Sequence, residues 1–264
     1  MEKYLIEEMT APEFLAKAAE DPVIIIPLGS QETQGPCNPM GDFMLTKQLA
    51  LRTAEVSGAL VAPVLPFGFA DVFQTAPGSI QFSPDTFRAA LRDVLESFLR
   101  HGLRRLLIFN GHTGNNAMID LTVRSIRNEL GAIIPWLNIW PLIPSEVREK
   151  AHGANASRAF GHGSDPIGSV YECLFPKLTR RDEARTEAYG NHILGLPTEG
   201  LLSVKLEEIS VNTPVRIADH CEFVVKGDPS LANASAGKLF ADYVVDAGRR
   251  VVEHLKSLPV AQLG

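Results

Sequence analysis

Cysteine is scarce in this chain of 264 residues, and its three cysteines, Cys37, Cys173 and Cys221, do not show metal-motif spacing. We therefore expect reduced thiols rather than a disulfide framework. The chain has no apolar run near the roughly 20 residues of a membrane span. Its first residues are charged and lack the apolar core of a signal peptide. These absences predict a cytoplasmic protein that does not enter a membrane.

Positive charge is also in short supply, with 25 Lys and Arg against 31 Asp and Glu, a net charge of −6. Non-specific nucleic-acid binding needs a basic surface, so we expect no nucleic-acid partner. The hydrophobic fraction of 45% is normal for a globular protein. The length predicts one large domain, residues 1–264, with a substantial core.

Hydrophobic periodicity predicts alternating strands and helices. Strands are expected at 23–28, 59–65, 106–109 and 132–139, and helices at 11–20, 43–57, 84–101, 117–130, 165–175 and 232–255. The stretch 182–198 is polar and is predicted as a loop. Strand–loop–helix units in succession predict an α/β fold, a mainly parallel sheet with helices on both faces.

The chain is organised around the turn-rich loop 27–42, which follows the Ile-rich first strand and carries Glu32 and Asp42. His112 lies in the Gly- and Asn-rich turn after the third of these strands. Loops that follow parallel strands project from the same edge of a sheet, where ligands usually bind. We therefore expect Glu32, Asp42 and His112 to meet there.

Carboxylate oxygens and an imidazole nitrogen are a ligand set suited to Zn²⁺, Mn²⁺ or Fe²⁺. The alternative reading of the same residues is structural: solvated acids in an ordinary turn, and a histidine that satisfies a turn or caps a helix.

The aromatic-rich loop 66–82 is long, and long structured loops are often functional.

Five segments in order resemble the creatininase (creatinine amidohydrolase) family. Pro27 to Asp42 resembles its P-x-G-S-x-E, G-P and G-D elements, and Asn110 to Asn115 its N-G-H-G-G-N turn. The other segments are Ala76 to Ile80, like F-P-G-T-I, Gly161 to Asp165, like H-A-G-E, and Gly227 to Lys238, like G-D-P-x-x-A…G-K. Together they span about residues 5–255, and five motifs in sequence are specific.

The resemblance implies a metal-dependent hydrolase of cyclic amides or formamides with two divalent metals. Glu32, Asp42 and His112 would hold the first metal, and Asp42 would bridge to the second. His162, which aligns with the histidine of H-A-G-E, could act as a general acid/base; the alternative is a loop hydrogen bond. The resemblance also implies a homo-oligomer, often a hexamer.

Several positions depart from the family pattern. Gln34 and Cys37 stand where the opening motif E-x-H-G-P-H has histidines, and an amide oxygen is a weak metal ligand. Asp165 replaces the acid of H-A-G-E with one methylene less, and Ile167-Gly168-Ser169 replaces E-T-S. We expect one strong metal site and a weakened or absent second one to which Asp165 contributes.

Gln34 is then predicted to contact substrate, and His162 or Asp165 to carry the proton. Cys37 could bind substrate or metal or act as a nucleophile, although a small buried apolar residue is the simpler expectation. His152, Trp136 and Trp140 are candidates for the pocket or the core.

The leading hypothesis is a metal-dependent hydrolase of a small cyclic amide, formamide or related polar carbonyl compound. The alternatives are a single-metal enzyme that opens or isomerises a cyclic ketone, and a non-catalytic relative that binds a small molecule. The loop Phe67–Phe82 is predicted either to contact another subunit or to fold over its own active site.

Overall fold

A four-stranded parallel sheet lies at the centre of the computed structural model, which describes residues 2–187, 192–199, 202–219 and 223–264. Its strands are β1 (Ile24–Leu28), β2 (Leu60–Val61), β3 (Leu106–Asn110) and β4 (Trp136–Asn138), in the order β2-β1-β3-β4. β1 pairs with β2 and β3 and is buried along its whole length, as expected of a β-branched run at the centre of a parallel sheet.

Helices cover both faces of this sheet, which confirms the predicted α/β architecture. The helices in the described ranges are α1 (Ala11–Ala18), α2 (Phe43–Ser57), α3 (Pro84–Arg100), α4 (Asn116–Leu130), α5 (Ser145–His152), α6 (Ala156–Ala159), α7 (Ile167–Leu174) and α8 (Ala234–Ser257). On one face α2, α7 and α8 bury Leu45, Tyr171 and Phe240. On the other, α3 and α4 bury Phe87 and Ile119.

The edge strands are shorter than the sequence predicts. Strand β2 ends before Pro63, and β4 begins only after Pro135. Proline supplies no amide hydrogen to a ladder, so the predicted strands 59–65 and 132–139 are cut back to short pairings beside the central strands. Neither change moves the loops that follow β1 and β3.

A second, antiparallel sheet was not foreseen. Its strands are β5 (His192–Ile193), β6 (Leu196–Glu199), β7 (Ser203–Leu206) and β8 (Ile209–Asn212), in that order. The prediction that 182–198 is a loop was therefore wrong for its C-terminal part. These strands are only two to four residues long and partly exposed, and β8 is exposed along its whole length, so the alternation of polar and apolar residues in Ser203–Leu206 and Ile209–Asn212 is too brief to be a strong signal.

None of the helices in the described ranges is long and apolar enough to cross a membrane. Cys221 and its surroundings, 220–222, lie outside the described residues. The extent of the domain, residues 1–264, stays a prediction.

Candidate metal centre

Three of the predicted side chains meet at the C-terminal edge of the parallel sheet. Nδ1 of His112 lies 3.2 Å from Oε2 of Glu32 and 3.4 Å from Oδ2 of Asp42. One potential ligand atom from each residue lies within 4.8 Å of the others, and all three residues are buried. Register explains the meeting, because Leu28 at the end of β1 pairs with Asn110 at the end of β3.

This geometry fits a divalent metal. Ligand atoms bound tetrahedrally at zinc–ligand distances of 2.0–2.2 Å lie roughly 3.3–3.6 Å apart, close to the separations from His112 to the two carboxylates. Oε2 of Glu32 is buried, and although Nδ1 of His112 lies 3.2 Å away, it accepts no hydrogen bond of regular geometry in the described part of the chain. An unpartnered buried carboxylate oxygen is costly, and coordination to a cation would satisfy it.

Local backbone structure holds Asp42 in place. The amide of Ser30 donates to its Oδ1 at 2.7 Å, which leaves Oδ2 toward His112. Gly41 has a φ of +83°, and a Cβ there would lie 2.3 Å from the Ser30 carbonyl oxygen. The hydroxyl of Tyr171 in α7 donates to the Gly41 carbonyl at 2.8 Å. The glycine before Asp42 is therefore required by both conformation and space.

The orientation of His112 is set by its other ring nitrogen. Nε2 lies 3.2 Å from the carbonyl oxygen of Phe69, which can only accept, so Nε2 carries a proton and Nδ1 faces the two carboxylates. Asn115 holds Phe69 by accepting its amide hydrogen at 2.8 Å. Asn110 donates to the His112 carbonyl at 2.7 Å.

The three side chains shift one another's ionisation. Burial disfavours charge on Glu32, but the neighbouring His112 outweighs it and lowers the pKa of Glu32 to about 2. Burial raises the pKa of Asp42 to about 6, against the attraction of the neighbouring His112. Burial opposes charge on His112 too, yet Glu32 and Asp42 raise its pKa to about 10. A proton held between two carboxylates is one that a metal cation can replace.

His162 lies on the opposite side of Glu32, at the cavity. Its Nδ1 lies 2.7 Å from the carbonyl oxygen of Val224, and its Nε2 lies 3.3 Å from Oε1 of Glu32. Its ring stacks on Phe73 with centroids 4.8 Å apart. Val224 has a φ of +57°, rare for a β-branched residue, and such strain is often found at functional sites.

Gln34 is buried beside the same carboxylate and lines the cavity. Its Nε2 donates to Oε1 of Glu32 at 2.9 Å. Its Oε1 has no hydrogen-bond partner in the described chain. The amide therefore holds Glu32 with one end and offers a free acceptor with the other.

Asp165 lies apart from this group. Its Oδ1 accepts the Ser169 amide at 2.9 Å, and its Oδ2 accepts the Ser169 hydroxyl at 2.8 Å and lies 2.5 Å from Nε2 of His152. It does not belong to the described cavity lining or to the group of three potential ligands. The predicted roles of Asp165 as metal ligand and proton carrier receive no support from this geometry.

Cys37 is buried, its pKa is raised by burial, and it is absent from the described cavity lining. The structure gives its predicted substrate contact no support. Trp140 does line the cavity and donates from Nε1 to the Gly111 carbonyl at 2.6 Å. Trp136 instead packs against the core on the α3 side of the sheet, and His152 bonds Asp165.

The aromatic loop 66–82 folds over its own site. Phe69 and Phe73 line the cavity, and Phe73 packs with Ile217 and Val224 from the C-terminal part of the chain. The length and composition of this loop indicated a functional role from the sequence. The contacts of the Phe69 and Val224 carbonyl oxygens with His112 and His162 were not predicted, because any residue can supply a backbone carbonyl.

The cavity measures about 640 Å³, within the range of roughly 300–1,000 Å³ typical of small-molecule sites. The three potential metal ligands, Gln34 and His162 lie together in its lining. A metal bound there would be within reach of a ligand in the cavity.

Sequence comparison identifies relatives across most of the chain. A profile of the Creatininase family, described as creatinine amidohydrolase, matches residues 7–252. The creatinine amidohydrolase of Pseudomonas putida is 33% identical over 194 residues, covering 67% of this chain and 74% of that protein. The 3-dehydro-scyllo-inosose hydrolase of Thermotoga maritima is 27% identical over 182 residues, covering 67% of this chain and 58% of that protein.

Solved structures show the same fold. A crystal structure of creatinine amidohydrolase superposes with a TM-score of 0.80 at 22% identity, covering 98% of this chain and 100% of that one. A creatininase structure with manganese has a TM-score of 0.76 at 24% identity, covering 96% of this chain and 98% of that one.

Proposed function

The chain belongs to the creatininase family, and from that premise we propose that it is a metal-dependent hydrolase of a small cyclic amide, a formamide or a related polar carbonyl compound. The observation that carries this proposal is the buried group Glu32, Asp42 and His112 at a cavity of about 640 Å³. The donor set suits Zn²⁺, Mn²⁺ or Fe²⁺.

A metal in this site would supply Lewis-acid polarisation of a carbonyl and hydroxide near neutral pH. The protein's own contribution is orientation and proton movement. His162 is anchored through Nδ1 to Val224, so its Nε2 is the ring atom that can take up and return a proton at the cavity. The free Oε1 of Gln34 can accept a hydrogen bond from a substrate N–H or O–H group.

We further propose one strong metal position and a weakened or absent second one. Gln34 stands where the family resemblance places a histidine ligand, and its nitrogen is already engaged with Glu32. Elemental analysis of protein purified without chelators is expected to give about one divalent ion per chain, because a neutral amide oxygen binds such metals weakly. Two tightly bound ions per chain in the unmodified protein would contradict this proposal and indicate a two-metal hydrolase.

The matching substitution is Gln34→His. It is expected to raise metal content towards two ions and to lower activity on the native substrate, because the free amide acceptor is lost. Sites built to hydrogen-bond their substrate can discriminate by up to roughly 10⁴–10⁵ when that partner is removed. The proposal fails if the variant keeps both its metal content and its activity.

A second candidate is hydrolytic ring opening of a cyclic ketone at a single metal. The reduced ligand set around Gln34 favours it, and so does the similarity to the Thermotoga maritima 3-dehydro-scyllo-inosose hydrolase. A parallel screen of cyclic amides, formamides and cyclic ketones separates the two candidates. Turnover of ketones alone would select the second.

We also propose a homo-oligomer, on the family resemblance alone and without a role for the aromatic loop, which packs on its own site. A hexamer is the size that the resemblance suggests. Light scattering at micromolar concentration tests it, and a monomer mass would refute it.

A further inference from the structure

The cavity is far larger than a single small ring requires. Its volume of about 640 Å³ is several times the ~150 Å³ that suffices to hold one benzene molecule. A reacting carbonyl beside Glu32, Asp42 and His112 would fill only part of this volume. The remainder must be filled by another part of the substrate or by water.

Apolar side chains form the walls of that remainder. They come from three parts of the fold: the aromatic loop, the region of β4 and α7, and the segment after β8. The principal ones are Phe69, Val72, Phe73, Trp140, Ile167 and Val215. Phe73, Trp140, Ile167 and Val215 are themselves buried. Because the indole N–H of Trp140 is already bonded to Gly111, this ring can offer the cavity mainly hydrocarbon surface.

Positive charge is missing from these walls. The described residues that line the cavity include no lysine or arginine, and the acids among them are Glu32, Asp42 and Asp71. A substrate carboxylate or phosphate placed against the apolar walls would lose its hydration without gaining a cationic partner, which is costly. An uncharged group would instead gain from leaving water.

We propose that the substrate carries an uncharged apolar substituent, alkyl or aryl, attached to its reacting carbonyl ring or chain and seated against these walls. This inference rests on the proposed hydrolase function for the position of the carbonyl. It narrows the substrate class from small polar carbonyl compounds to amphiphilic ones, polar at the metal ligands and apolar toward Phe73 and Val215.

A series of hydantoins tests the inference, since these cyclic amides share one ring and differ in one substituent. Metal-loaded protein is titrated by calorimetry at neutral pH with hydantoin, 5-propylhydantoin, 5-phenylhydantoin and hydantoin-5-acetate. Each buried methylene contributes roughly a three- to fourfold gain in affinity. The propyl and phenyl compounds are therefore expected to bind at least about tenfold tighter than hydantoin, with a more negative heat-capacity change.

The acetate is expected to bind more weakly than hydantoin. Equal affinities across the series, tightest binding of the acetate, or binding of none of the four compounds would overturn the inference. Metal content and turnover are measured in the same samples and judge the proposed function separately. Tight binding of the phenyl compound without any turnover would contradict hydrolysis of that ring and still support the apolar wall.

The variant Val215→Thr tests whether the apolar substituent binds against Val215. The side chain keeps its size but places a hydroxyl in a buried wall, so affinity for 5-phenylhydantoin is expected to fall roughly fivefold or more. Val211→Thr, an exposed position in β8, is the matched control and is expected to leave affinity unchanged. Thermal unfolding verifies that both variants fold. Equal affinities of both variants and the parent protein would place the substituent elsewhere and overturn the assignment.

Discussion

Two buried carboxylate–histidine groups lie in the described part of the chain, and they differ in whether their carboxylate oxygens are free to bind a metal. In the first, Nδ1 of His112 faces Glu32 and Asp42, and the Glu32 oxygen nearest to it accepts no hydrogen bond of regular geometry in the described chain. In the second, His152 and Ser169 occupy both oxygens of Asp165. The first lines a cavity, whereas the second is absent from its described lining.

The contrast shows that residue type alone does not make a metal site. Both groups combine an imidazole with buried carboxylate, but only the first has unused acceptor capacity and access to a cavity. The Asp165 group instead joins three helices: His152 ends α5, Ser169 lies in α7, and the Ser169 hydroxyl accepts the Asn233 amide at the start of α8. The hydrogen bonds of this group therefore hold the three helices together.

The largest expected effect is on metal binding at the first group. His112→Ala removes one of three potential ligands and is expected to reduce metal affinity by more than the roughly 10–100-fold seen for a lost outer-shell partner, and to abolish activity. Elemental analysis and metal titration measure the loss. His254→Ala, at an exposed histidine of α8, is the control. Full metal occupancy in the His112 variant would remove the basis of the comparison.

Asp165→Ala tests the second group. The substitution leaves His152 and the Ser169 amide without their acceptor in a fully buried site, so the free energy of unfolding is expected to fall by roughly 3–5 kcal/mol. Denaturant unfolding measures it, and metal content per folded chain is expected to stay unchanged. Asp165→Asn retains one acceptor oxygen and is expected to lose less. Loss of metal from a folded Asp165 variant would make this residue a ligand after all.

The pH dependence of metal binding sharpens the comparison further. Burial opposes charge on His112, but Glu32 and Asp42 raise its pKa to about 10, above the ordinary value of 6.5, so a metal must displace its proton. Affinity is expected to rise about tenfold per pH unit from pH 6 to 8, with about one proton released per ion. Below the Asp42 pKa of about 6 the slope should steepen as a second proton competes. Calorimetry in buffers of different ionisation enthalpy measures the number of protons released per metal ion. Release of close to zero protons would contradict metal binding at His112.

The same shift predicts the stability of metal-free protein. Because the folded pKa of His112 lies above its unfolded value, its contribution is fully present below about pH 6.5 and is lost as pH rises towards 10. Denaturant unfolding of chelator-treated protein at pH 7 and pH 9.5 measures the loss, and the His112→Ala variant should not show it. A parallel decline in that variant would assign the pH effect to other groups.

The smallest effect is expected from Ser169→Ala. It removes a hydrogen bond to Asp165 and the acceptor of the Asn233 amide, and should cost about 1–3 kcal/mol of unfolding free energy without altering metal affinity. Ser235→Ala, exposed in the first turn of α8, is the control. A change in metal affinity would show that the Asp165 group influences the metal centre and would contradict its purely structural role.

Sequence patterns located most of the parallel-sheet half of the molecule. The Ile-rich run of β1 and the amphipathic face of α3 each carry a local signal that tertiary packing reinforces. The antiparallel sheet carried a weaker signal, because its strands are only two to four residues long and their alternation of polar and apolar residues is brief. Prolines shortened β2 and β4 by removing ladder donors, an effect that a run of apolar residues conceals.

The meeting of Glu32, Asp42 and His112 follows from the order of strands and loops along the chain, because residues that follow adjacent parallel strands share one sheet edge. The separate position of Asp165, which carries the same chemistry, depends on long-range packing. Its partners, His152 and Ser169, come from α5 and α7, and their hydrogen bonds occupy the oxygens that a metal would need. The cavity walls were likewise decided by packing, since Phe73, Trp140 and Val215 are far apart in sequence. Hydrophobic contact is non-directional, so no local pattern records which distant apolar residues will enclose a ligand.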